Sequence, residues 1–426
     1  MDHETLDQNH SKSIRNKKKK PILQRVFQWS AATAAAFSLL VAAAGGAAWM
    51  LSPNSLTVTE NAGLELPAGW YQVSSAKKQG ESPVSAAGQG AGQSTGAEIR
   101  LLGLIPVKEV RVEQAEQPYG AVCGVPFGIK MEADSVVVVG TADISSNGKS
   151  INPASEAGIQ VGDVIYEAGG KKVTENDELA KIFESSGGKP VTICAQRGGK
   201  EFTTSLTPVF SQIDGLYKGG LWVRDSTAGI GTLTFYDPKT KRFGGLGHGI
   251  CDVDTNELMP LGTGEILPVT ISGVVRGQRG AAGELQGYFS SDVPIGEMSA
   301  NTETGVYGTL SQEPPVQQTL PIAMKQEVRA GKAQILTTVD GESPAYYDVE
   351  IESVNYDEGR ITKNLILKVT DEKLLKKTGG IVQGLSGSPI IQNGKLVGAV
   401  THVLVNNPEK GYGIFAETMW KAANSG

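Results

Sequence analysis

The chain has 426 residues, 39% hydrophobic and 20% charged, which is long enough for two or three folded domains and too apolar for a largely disordered protein. Its net charge of −6 gives no basis for nucleic-acid binding. The 54 glycines and 6% aromatic residues favour many turns and short strands over long helices.

In chain order, residues 1–25 form a basic tail carrying Lys17, Lys18, Lys19 and Lys20. Residues 26–51 are uncharged and mostly apolar, long enough to cross a hydrocarbon core of about 30 Å as a single transmembrane helix. The basic flank stays in the cytoplasm on this reading, so the rest of the chain lies outside it. A cleaved signal peptide is the rival reading of the same segment. Residues 52–119 follow as an extracytoplasmic linker region. Within it, 74–98 are so rich in Gly, Ser, Ala and Gln that they cannot offset the cost of ordering, and a flexible stretch is expected.

Residues 120–208 carry Pro153-Ala154, Ala157-Gly158, Gly162-Asp163 and Ile165 in one run. That run resembles the signature of bacterial PDZ domains. The resemblance implies a peptide groove between the strand near Val125, Phe127, Gly128 and Ile129 and a helix bearing Leu179 and Ile182. Such grooves take an extended peptide as an added strand. From 209 to 426 the pattern is strands and glycine turns, as expected for an all-β barrel or sandwich.

The three cysteines, Cys123, Cys194 and Cys251, are odd in number and widely spaced. They lack metal-ligand spacing, so no metal or cofactor is expected. Of the four histidines, His3 and His10 lie in the basic tail, leaving His248 and His402 as candidate bases. His248 sits in a glycine-rich turn, whereas His402 reads as a strand residue. Gly384-Leu385-Ser386-Gly387-Ser388-Pro389 lies between apolar segments and resembles the nucleophile loop of chymotrypsin-like proteases. Ser386 takes the nucleophile position, and the backbone N–H groups of Gly384 and Ser386 would face a developing oxyanion. A base needs an orienting carboxylate, and spacing leaves Asp252, Asp254, Asp292, Asp340, Asp348, Asp357 and Asp371 all open.

Three further segments narrow the reading: Val223 to Thr232, Gly247 to Asp252, and Thr378 to Pro389 continuing into Gly398 to His402. Together they resemble the SpoIVB serine peptidases of endospore-forming bacteria. The resemblance implies a mainly β protein with a PDZ domain followed by a chymotrypsin-like double β-barrel. It implies His248 as base, Ser386 as nucleophile and Asp371 as third member. It also implies a membrane-tethered, self-cleaving endopeptidase of sporulation signalling in the forespore membrane, facing the intermembrane space. Its expected partners are its own N-terminal region and the regulatory subunit of a membrane-embedded sigma-factor-processing protease complex. Rival readings are a PDZ adaptor with an inactive peptidase domain and a general HtrA-like envelope protease, although the latter places its protease before the PDZ domain.

Overall fold

The computed structural model describes residues 52–66, 71–75, 94–314 and 318–425, with single positions between 33 and 49. Most of the expected membrane-spanning segment, 26–51, and the stretch 76–93 of the expected flexible region lie outside the described residues. Among the described residues no helix is long and apolar enough to cross a membrane. Residues 51–426 form one compact unit.

Two closed β-barrels make up most of the fold. In the first, the strand Pro126–Thr141 pairs with Leu221–Tyr236 on one edge and Thr263–Val275 on the other. The ring closes through Gly296–Thr302, Gly305–Leu310 and Arg242–Gly245 back to Leu221–Tyr236. Strand alternation explains the barrel interior: Ile129, Met131 and Ala133 point in, while Lys130 and Glu132 point out. With Phe127, Leu233, Phe243 and Ile266 they form one core. The second barrel is closed in the order Gly331–Thr337, Ala345–Val354, Leu365–Val369, Lys410–Phe415, Lys395–Val403, Pro389–Gln392. Its interior is aliphatic, built on Ile335, Leu367, Val369, Ile390 and Val400. Closure leaves neither barrel with a free sheet edge.

The PDZ domain is an insertion into the first barrel, not a module ahead of it. Pro126–Thr141 and Leu221–Tyr236 are each 16 residues long, about three times the usual strand, because each serves two domains. Their pairing runs from Pro126↔Thr232 in the barrel to Thr141↔Leu221 in the PDZ domain, with register shifts between Trp222/Val223 and between Arg224/Ser226. Beyond those bulges the sheet continues through Val164–Ala168, Val191–Arg197 and Lys200–Leu206. The helix Asn176–Ser185 covers it, and Val136, Val138, Ile165, Leu179, Phe183 and Ile193 share its core. The boundary expected at 208/209 is therefore corrected: the first barrel already includes the strand beginning at Pro126.

The expected groove is corrected for the same reason. Val125, Phe127 and Ile129 are buried in the first barrel, and Phe127 is 0% exposed. Gly128 is paired on both edges, to Ile230 and to Leu267, so no peptide can add there. A cavity of about 430 Å³ lies instead between Leu179, Ala180 and Phe183 of the helix and Leu221, Trp222 and Val223 of the opposite strand. Leu221–Val223 are paired to Gly140, Thr141 and Val138 on one side only. Ile182 packs against the domain core and does not line this cavity.

The region 52–119 is more than a linker. Ser55–Val58, Ile105–Gln114, Ser94–Leu101 and Tyr71–Ser75 form a four-stranded sheet, in which Ser74 and Ser75 pair with Glu98 and Ala97 at the two ends of the expected flexible stretch. Thr57 Oγ1 donates to Glu417 Oε1 at 2.6 Å, on the C-terminal helix Ala416–Asn424. Gln326 Nε2 donates to Thr57 O at 2.6 Å. The sheet is thus fastened to the second barrel.

Candidate active site

The two barrels meet at a cavity of about 470 Å³ lined by His248, Gly384, Ser386, Thr401 and His402, with Ile129, Ile230, Val382, Val403 and Val405 as apolar walls. His248 is delivered by the first barrel and Ser386 by the second. Each sits on a tight loop.

His248 follows the strand Arg242–Gly245 through a turn in which Leu246 and Gly247 have φ of +63° and +70°. A Cβ on Gly247 would come within 3.0 Å of Ile414 and 3.1 Å of Thr401, so at this positive φ a side chain would be strained and would crowd the second barrel. His248 Nδ1 is 2.8 Å from Gly249 O. A carbonyl only accepts, so Nδ1 carries the proton and Nε2 keeps its lone pair. Burial lowers the His248 pKa, opposed by the Gly249 carbonyl. The ring is therefore held neutral, in the tautomer a general base requires.

The Ser386 loop is held by the other barrel. Thr232 N–H donates to Ser386 O at 2.9 Å, Thr232 Oγ1 to Gly384 O at 2.8 Å, and Thr234 Oγ1 to Gly387 O at 2.7 Å. Gly387 has φ +94°, and a Cβ there would sit 1.9 Å from Thr232 O. Leu385 O accepts from Ser388 N, and Gln383 O accepts from Leu285 N. In a trans peptide the N–H points opposite to the preceding carbonyl, so the N–H groups of Ser386 and Gly384 are turned away from those bonds. Neither has a backbone partner among the described residues, while their neighbours Leu385, Gly387 and Ser388 all do. Two free donors thus flank the serine, as an oxyanion site requires.

Ser386 Oγ donates to Thr401 O at 2.6 Å. Ser388 is buried, and its hydroxyl is 2.8 Å from Thr337 Oγ1 and 2.6 Å from Leu385 O, which makes it a strut of the loop. The His402 ring lies against His248, with centroids 4.7 Å apart and planes at 35°. Partial desolvation of a ring that still keeps an exposed face, followed by the charges of His248 and Lys363, pushes the His402 pKa down to about 4. Cys251 lines the same cavity, but burial followed by Glu257, Asp252 and Glu303 raises its pKa, so it stays a thiol and not a thiolate nucleophile.

Residues 215–420 match the family model described as SpoIVB peptidase S55, just under half of the chain, and residues 152–197 match a PDZ domain model. The chain carries a SpoIVB-type serine peptidase domain. The family consists of serine peptidases, hydrolases acting on peptide bonds. A Bartonella henselae protein described by name as a zinc metalloprotease is 36% identical over 81 residues. That match covers 19% of this chain and 22% of the relative, so the chain spans about a fifth of that protein.

Within the SpoIVB-type domain, the structure brings together His248, Ser386 and Gly384. It does not bring Asp371 to them. Asp371 Oδ1 accepts from Lys373 N at 2.9 Å and Leu374 N at 3.0 Å, capping the helix Glu372–Thr378, and it lines neither cavity beside His248. Asp252 is also committed elsewhere. Its side chain is 0% exposed, paired with Arg224, and accepts from Asp254 N at 3.0 Å and Thr255 N at 2.9 Å. Sequence reasoning missed Thr232, Thr234 and Thr401. The first two lie in the Val223 to Thr232 segment or just beyond it, so that family-specific run was the available signal. Thr401 acts through its carbonyl, which leaves no mark in a sequence.

Proposed function

We propose that the chain is a serine endopeptidase in which Ser386 attacks the scissile carbonyl, His248 is the general base, and the N–H groups of Gly384 and Ser386 bind the oxyanion. The observation that carries this reading is the shared cavity: base, hydroxyl and two unpaired donors from different barrels converge on it. Substrate binding turns the Ser386 hydroxyl from Thr401 O to His248 Nε2. Attack then passes the proton to His248, which gives it to the leaving amine, and water repeats the sequence on the acyl-enzyme. Each oxyanion donor contributes about 3 kcal/mol to the transition state. Val382, Val403 and Val405 beside Ser386 suit an apolar substrate side chain.

The family relationship and the sequence of residues 1–51 support a finer reading. The enzyme is membrane-tethered, faces the intermembrane space of the forespore, and serves sporulation signalling. It cleaves its own N-terminal region and the regulatory subunit of a sigma-factor-processing membrane protease complex. The groove at Leu221–Val223 holds an extended peptide.

A second reading, a PDZ adaptor with an inactive peptidase domain, draws on the Ser386–Thr401 bond and on His248 Nδ1 being bonded to the Gly249 carbonyl where a catalytic triad has a carboxylate. One experiment separates the two. Purified protein is treated with a fluorophosphonate probe alongside Ser386→Ala and His248→Ala. The peptidase reading expects labelling that vanishes in Ser386→Ala and slows by roughly 10³-fold or more in His248→Ala. Folded wild type that takes no label would leave the adaptor. The same Ser386→Ala protein, trimmed at the wild-type rate, would rule out self-cleavage.

A further inference from the structure

The segment Val223 to Thr232 is a sequence signature to which the reaction assigns only Thr232. Its first residues stand where three parts of the molecule meet. Val223 lines the PDZ groove. Asp225 Oδ2 accepts from Asn176 N at 3.0 Å, the first residue of the groove helix. Arg224, between them, turns the other way and grips two carboxylates, Asp252 and Asp254, with 2.8 Å from Nη2 to Asp254 Oδ2. Asp252 lies four residues after His248 and ties the turn that follows it through the N–H groups of Asp254 and Thr255. The same strand then runs on as Thr227–Ile230 along the catalytic cavity and ends on the Thr232 and Thr234 bonds to the Ser386 loop.

We propose that Arg224 is a positioning residue for peptide-bond hydrolysis. Acting through Asp252 and Asp254, it fixes the His248 loop to the strand that also holds the Ser386 loop, so that base and nucleophile share one reference. A buried carboxylate without its guanidinium partner cannot remain in place, and a displacement of the loop by about 1 Å costs on the order of 10²-fold in rate. Because the register shifts flank Arg224, between Trp222/Val223 and between Arg224/Ser226, the strand can adjust at this residue without breaking the barrel pairs beyond it. The planar fork of arginine reaches two carboxylates at once, which lysine cannot do.

The inference rests on the proposed roles of His248 and Ser386. Its test is the fluorophosphonate labelling rate of the full chain, with the probe concentration varied to separate the rate at saturation from apparent probe affinity. Arg224→Gln should lower the saturated rate by roughly ten- to a hundredfold while apparent affinity changes less than threefold. Arg224→Lys should recover part of the loss. Asp254→Asn, which frees only the exposed leg, should fall between wild type and Arg224→Gln. Should Arg224→Gln fail to fold, Arg224→Lys and Asp254→Asn carry the comparison. Wild-type labelling rates in the folded variants would overturn the proposal alone. A wild type that never labels at Ser386 would overturn the peptidase reading and this inference with it.

Discussion

His248 and His402 share a cavity but titrate under different neighbours. Burial lowers the pKa of His248, and partial desolvation of the otherwise exposed His402, with His248 and Lys363 beside it, lowers His402 to about 4. The unfolded histidine binds its proton near pH ~6.5. Between the two values the unfolded state holds more protons than the folded state, so stability rises with pH across that window. Acidification from about pH 6.5 toward 4 should therefore lower the melting temperature. Thermal denaturation across that range should show a shallower slope in His402→Phe, which keeps a ring against His248 without a titrating nitrogen. An unchanged slope would show that His402 does not titrate as described. At this scale the sequence was informative where chemistry needs a side chain. Ser386 and His248 stand out because small neighbours surround a reactive group. The partner of the Ser386 hydroxyl does not stand out, because it is a backbone carbonyl. His402 reads as an ordinary strand residue because its packing against His248 joins a strand to a turn far apart in the chain.

Asp371 belongs to the scale of elements. It caps a helix that ends at Gly379, whose φ is +76°, and whose chain leads directly into the Ser386 loop. Losing such a cap costs about 1 kcal/mol, so Asp371→Ala should lower the melting temperature by a few degrees and change Ser386 labelling less than tenfold. An aspartate orienting the base would cost about 10⁴-fold, and a loss of that size would restore Asp371 to the catalytic set. The PDZ groove gives the second lesson here. The glycine run and the helix were legible from local pattern, yet the strand opposite the helix follows it in the chain. Gly219-Gly220-Leu221-Trp222-Val223 carries that signal, a glycine pair opening an apolar strand. Its 65%-exposed Trp222 fits an open groove lip better than a barrel interior.

The whole molecule departs most from a reading along the chain. Pattern identified the β class but left barrel and sandwich open, because alternation and turns are local; the double barrel came from the family resemblance. It did not give the insertion, since two strands separated by the entire PDZ domain look like ends of different modules. A consequence can be measured. A fragment of residues 209–426 lacks the strand Pro126–Thr141, which supplies Phe127, Ile129 and Met131 to the first barrel. It should be aggregated or unfolded by circular dichroism and should take no label. Replacing 142–219 and Gly220 by Asn-Gly should leave Thr141 and Leu221, already paired, joined by a two-residue hairpin. That shortened chain should fold cooperatively. A folded, labelling 209–426 fragment would refute the shared-barrel architecture.

The closure of the second barrel has a temporal side. Lys410–Phe415 pairs with both Leu365–Val369 and Lys395–Val403, so the ring cannot shut until Phe415 has been made. Ser386 and its Thr401 carbonyl belong to that late-closing half, while the threonines that shape its loop were made some 150 residues earlier. A nascent chain can present His248 and the strand Leu221–Tyr236 before the Ser386 loop is held in its barrel. The site is complete only once the closing strand Lys410–Phe415 is in place.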